Sequence, residues 1–140
     1  MSVAAILLPV FVQVALTFAL LMRLGTVRVG SLNAGKTNVR DIALGESNWP
    51  PEVAQVGNCF NNQFQLPLLF YVLAILALFL HKADLLFVIL SWVFVISRIV
   101  HAGIHITSNN VTHRFSAYTV GLLLLILMWV IFAIRILFAL

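Results

Sequence analysis

Four stretches of this chain carry so little charge that water cannot be the solvent around them. There is no Asp, Glu, Lys or Arg between Ser2 and Met22, Val53 and Leu80, Leu85 and Ser97, or Phe115 and Ile134. Each lies within a mainly apolar run of about 20 residues or more, the third by continuing past Arg98, and that is the length of helix that crosses a hydrocarbon layer of about 30 Å. In that layer every backbone N–H and C=O must be satisfied internally, which a helix achieves alone. Hydrophobic side chains make up 63% of the chain and charged ones 9%, against about 25% charged in soluble domains. The expected fold is therefore an all-α integral membrane protein, a four-transmembrane-helix bundle forming one domain over 1–140, with the lipid bilayer as its first partner.

The spans are expected at about 2–24, 50–80, 83–107 and 114–138. No basic stretch precedes the first, and no small-residue cleavage site lies before Arg23, so it reads as a retained helix rather than a signal peptide. Residues 25–49 read as an aqueous loop, with Gly25, Gly30, Gly35 and Gly45 among Arg28, Lys36, Arg40, Asp41 and Glu46. Pro50, Pro51 and Glu52 suit a helix start, where a missing donor does no harm and an acid complements the dipole. The net charge of +4 comes from scattered bases and few acids, so no nucleic-acid surface is implied. A single cysteine, Cys59, allows no internal disulfide and reads as a small packing residue.

Polar groups inside the spans are where function is expected. Arg98, His101 and His105, spaced i, i+3, i+7, fall within an arc of about 60° on the third helix. Gln55, Asn58, Asn61, Asn62 and Gln65 share an arc of about 120° on the second, and Arg114 and Tyr118 open the fourth. In an up-down bundle these three polar stretches meet at one membrane depth. Arg23, Arg28, Lys36, Arg40 and Arg114 lie on that side against Lys82 and Arg135 on the other, which places the loops after helices one and three in the cytoplasm and both termini outside.

The segments N-N-Q-F-Q-L-P (61–67), R-I-V-H (98–101) and R-F-S-A-Y (114–118), in this order and in these spans, resemble the MAPEG family, the membrane-associated proteins in eicosanoid and glutathione metabolism. The spacing of Arg98, His101, Arg114 and Tyr118 is similar to that of its prostaglandin E synthase branch. The resemblance implies a divergent bacterial member in the inner membrane, a homotrimer holding glutathione between subunits, and lipophilic small-molecule substrates arriving from the bilayer. It implies a glutathione-dependent transferase, peroxidase or isomerase, with Arg114 and Tyr118 as catalytic residues, the former stabilising the thiolate, and Asn58, Asn62, Gln65, Arg98, His101 and His105 as contacts to glutathione. The sequence departs from the pattern at the start of the second helix. P-E-V-A-Q-V-G-N-C-F-N-N stands where arginines are expected, Gln65 replaces an acid, and His105 and Phe115 replace a tyrosine and a serine of the prostaglandin branch.

Two function classes stand beside this one. In the first, a catalytically silent MAPEG-like protein binds a lipid or partner, its amides bonding between helices and Arg98 serving a structural role. A small transporter is disfavoured by the lack of paired repeats or interrupted helices. His101 and His105 sit at metal-ligand spacing, but only His113 could join them, so no metal site is expected.

Overall fold

The computed structural model describes residues 1–45 and 48–140, and Glu46 of the loop lies outside them. Five α-helices follow in order, α1 Val3–Asn33, α2 Pro51–Asn61, α3 Leu66–Phe79, α4 Leu85–Ile106 and α5 Val111–Leu137, and the described residues contain no strand. Four candidate spans result, because α2 and α3 together form one crossing, Pro51–Phe79. Helix α4 is the central element, packed against α1, α2 and α5. The apolar core runs through Phe70, Leu73, Phe94, Val95, Leu125 and Met128, all at or below 2% exposure. Large side chains such as Phe11, Phe18, Ile75 and Leu123 point outward, as lipid requires.

The first helix is longer than its expected end at Leu24. Gly25 and Gly30 lie within it, and it stops where Gly35 adopts φ +71°. There the Lys36 N–H bonds to the Ser31 carbonyl and the Gly35 N–H to the Leu32 carbonyl, a left-handed cap that satisfies otherwise orphaned carbonyls. Its buried residues Ile6, Pro9, Gln13, Leu20, Leu24 and Ser31 recur at intervals of three, four and seven, the stripe of a helix packed along its length. The rest of the loop folds back onto this extension. Ser31 and Thr37 share a buried hydroxyl bond of 2.7 Å, Lys36 pairs with Glu52 at 3.5 Å, and Arg28 lies 5.1 Å from the centre of the Trp49 ring.

The second crossing is interrupted where one helix was expected from 50 to 80. After Asn61 the chain makes a 3₁₀ turn, Asn62–Phe64, and Gln65 takes φ −99°, ψ −103° before α3 begins. Pro67 explains the break, since it has no N–H and its ring excludes the carbonyl four residues back. The interruption has no counterpart in another span, so it does not form the paired broken helices of a transporter.

Side-chain caps fix the remaining ends. Asp84 accepts from the Phe87 N–H at 2.9 Å to start α4, and Asn110 accepts from the His113 N–H at 3.1 Å to start α5, three residues before the expected Arg114. The α3–α4 turn carries His81 at φ 55° and the α4–α5 turn Asn109 at φ 49°. Arg135 clasps Asp84 at 2.7 Å, joining the end of α5 to the start of α4.

Candidate functional site

The interrupted crossing, the end of α4 and the start of α5 enclose a cleft of about 510 Å³, lined by Asn58, Asn61, Asn62, Gln65, His101, His105, Val111, Arg114, Phe115 and Tyr118. That volume suits a small ligand. Its position follows from the local folding. Pro67 ends the α pattern where Asn62 and Gln65 line the cleft, and the cap at Asn110 sets the phase on which Arg114 and Tyr118, four apart, share one face of α5.

Amides hold the cleft's walls together. Asn62 Nδ2 lies 3.4 Å from His105 Nδ1, and Gln55 donates to the carbonyls of His105 at 2.7 Å and Thr107 at 3.3 Å, tying α2 to the last turn of α4. Cys59 is wholly buried, its thiol directed at the Ala102 carbonyl at 3.8 Å, which is a packing role. The His101 ring lies 5.6 Å from that of His105 and 5.7 Å from that of Tyr118. Among the described residues Arg114 is the one Lys or Arg of the lining, and its Nη1 donates to Asn109 Oδ1 at 2.6 Å. The left-handed turn at Asn109 thus doubles as the brace of this guanidinium.

Seven of the eight residues singled out from the sequence meet in this cleft: Asn58, Asn62, Gln65, His101, His105, Arg114 and Tyr118. Arg98 does not line it. It is 0% exposed, with its guanidinium 5.2 Å from the centre of the Tyr118 ring, and none of its three nitrogens has a hydrogen-bond partner among the described residues. Sequence reasoning missed two supports of the site, Asn109 and Gly121. An ideal Cβ on Gly121 would lie 2.9 Å from Ser97 Oγ and 3.3 Å from Arg98 Nη1, so a glycine here lets α5 close over Arg98. A lone glycine in an apolar span, three residues after the tyrosine, was the available signal. Among the described residues no three His, Cys, Asp or Glu side chains gather as a metal site would need.

Comparison with protein families matches the MAPEG family over residues 6–134, nearly the whole chain. The chain belongs to the MAPEG family. No match was found among curated proteins or solved structures. MAPEG membership covers all four crossings and every residue of the cleft, and it agrees with the all-helical membrane architecture. The family's association with glutathione can be tested against these side chains. In volume, and in an amide-rich lining that complements peptide groups, the cleft fits such a tripeptide. In fixed charge the lining offers only Arg114 to its two carboxylates and thiol.

Proposed function

We propose that this MAPEG protein binds glutathione in the cleft and serves as a glutathione-dependent membrane enzyme acting on a lipophilic electrophile. The observation that carries this reading is the placement of Arg114 in the lining beside Tyr118, braced by Asn109 at 2.6 Å. Glutathione would supply a thiol which, once ionised, can form a carbon–sulfur bond with an electrophilic carbon as a leaving group departs with its electron pair. The chain's own task is to favour the charged sulfur. A fixed guanidinium does so, because a thiol of ordinary pKa about 8.5 is more ionised beside a cation. The Tyr118 hydroxyl is a donor to sulfur or substrate, and Asn58, Asn62 and Gln65 offer amides to the peptide bonds.

The same reading includes a homotrimer in a plasma membrane. Asn58, Asn61 and Gln65 are exposed on one protomer at membrane depth, where unpaired amides are unfavourable, so a second copy is expected to cover them and complete the cleft. The excess of Arg and Lys on the loops after α1 and α4 supports a cytoplasmic side for those loops and an outer side for the termini. A reporter fused after Leu140 is expected to read as extracytoplasmic.

The test is a titration of detergent-solubilised protein with glutathione, followed by calorimetry and by ultraviolet absorbance of the thiolate. Wild type is expected to give both signals. Arg114→Leu is expected to keep the fold and lose the thiolate band, and Arg114→Lys to retain part of it, as a point charge without the planar fork. Absence of heat and of thiolate absorbance at millimolar glutathione would overturn the proposal and favour a catalytically silent member that binds a lipid or partner, the reading to which the scarcity of cations in the lining points.

A further inference from the structure

We propose that Tyr118 is a gate over Arg98, and that the cleft takes a ligand with two anionic groups, one met by Arg114 and the second by Arg98 once the tyrosine ring turns aside. The inference rests on the ligand reading above and adds to it a movement, the turning of Tyr118, by which the buried Arg98 reaches the cleft, and a charge class for the ligand. Arg98 is fully buried within a membrane crossing, and Nε, Nη1 and Nη2 all lack a hydrogen-bond partner among the described residues. A guanidinium carries five N–H donors, and buried polar groups are paired in the great majority of cases. The face of the Tyr118 ring compensates part of the charge as a cation–π contact but accepts no conventional hydrogen bond.

Tyr118 belongs to both environments, since it lines the cleft and lies 5.2 Å over Arg98. On the α5 side the guanidinium has no slack, because a Cβ at Gly121 would already crowd Nη1 at 3.3 Å and Ser97 Oγ at 2.9 Å. Movement of the tyrosine is therefore the change that joins Arg98 to the cleft. His101 Nδ1, one helical turn from Arg98 and 5.7 Å between rings from Tyr118, is also buried and without a hydrogen-bond partner among the described residues, so the same movement brings a second polar atom to the ligand. The scarcity of cations in the lining is then a property of the closed cleft. Opened, it presents two guanidiniums, which selects a dianion over a monoanion.

The test observes arginine side-chain N–H signals by nuclear magnetic resonance in the full-length, detergent-solubilised protein. Arg98 is identified by its loss in Arg98→Lys and, independently, by its protection from solvent exchange. The probes are glutathione, its diethyl ester and inorganic sulfate. Glutathione is expected to shift both Arg114 and Arg98, and the diester to leave Arg98 unmoved. Arg98→Gln is expected to weaken glutathione by about tenfold or more without affecting the diester, as loss of a charged hydrogen bond implies. Tyr118→Ala is expected to speed exchange at Arg98 at least about tenfold with no ligand present. If glutathione shifts Arg114 but not Arg98, the gate is refuted and glutathione binding stands. If glutathione moves neither but sulfate reaches Arg98, the gate stands and the glutathione reading falls. Silence of Arg98 towards all three probes overturns the gate.

Discussion

Gly121→Ala measures how tightly α5 closes over α4. The added methyl would sit 2.9 Å from Ser97 Oγ and 3.3 Å from Arg98 Nη1. The first separation is below any real contact, and Ser97 Oγ is not free to give, because it donates to the Phe94 carbonyl at 2.6 Å. Overpacking of this kind costs about 1–3 kcal/mol. Alanine recovers up to about 1 kcal/mol of helix propensity, so the net expectation is a loss of about 1–2 kcal/mol. Gly103→Ala is the control. It lies on α4 with nothing within 4 Å of its ideal Cβ, so the propensity gain is unopposed and stability is expected to rise by about 0.5–1 kcal/mol. The double variant Gly121→Ala with Ser97→Ala removes the closer clash and is expected to recover most of the loss, leaving the 3.3 Å contact to Arg98. Reversible unfolding in mixed detergent micelles, monitored by circular dichroism, reads all four proteins. A Gly121→Ala protein as stable as Gly103→Ala would refute the close approach and the packing assigned to Arg98.

Other parts of the molecule make independent forecasts. Arg135 holds the Asp84 carboxyl below the usual carboxylate range through their 2.7 Å hydrogen bond, so the pair contributes stability above about pH 3.9 that fades as pH falls through the lowered native value. Because Asp84 is half exposed, that contribution is under about 1 kcal/mol; thermal melts of wild type at pH 6 and pH 3 should show it, and Asp84→Asn should lose this part of the difference. Asn110→Ala removes the cap of α5 and should cost about 1 kcal/mol in the same melts, with Asn110→Ser restoring most of it. Pro67→Ala allows the 3₁₀ turn at Asn62–Phe64 to wind into continuous helix; calorimetry should then find weaker cleft binding in a folded protein, and unchanged affinity would show that the break does not position Asn62 and Gln65.

The bundle was legible in the sequence because a mainly apolar run of about 20 residues with at most one charge has few alternatives, and the polar layer because Arg98, His101 and His105 recur at helical spacing. Helix ends were less legible for a specific reason. Gly25 looks like a stop but is helical, whereas Gly35, in the left-handed region, is the stop; composition does not distinguish them, and the conformation does. Pro67 falls inside the helix expected over 50–80, because the apolar run continues past it, yet a 3₁₀ turn and a distorted Gln65 precede it. The exclusion of Arg98 from the cleft lining depends on the rotation of α5 against α4. Spacing along one helix carries no information about that rotation.

One buried contact bears on how the protein is made. Gln13 donates to Gln63 Oε1 at 2.8 Å, linking α1 to the 3₁₀ turn fifty residues later, and both side chains are almost fully buried. The first crossing is synthesised and can enter the bilayer before the second exists, so the Gln13 amide passes through an interval without its native partner. Its native partner, Gln63, arrives only with the interrupted crossing. Docking of α1 is in this way coupled to completion of the segment that shapes the cleft, and a chain whose second crossing is misformed leaves an unmet amide on its first for quality control to find.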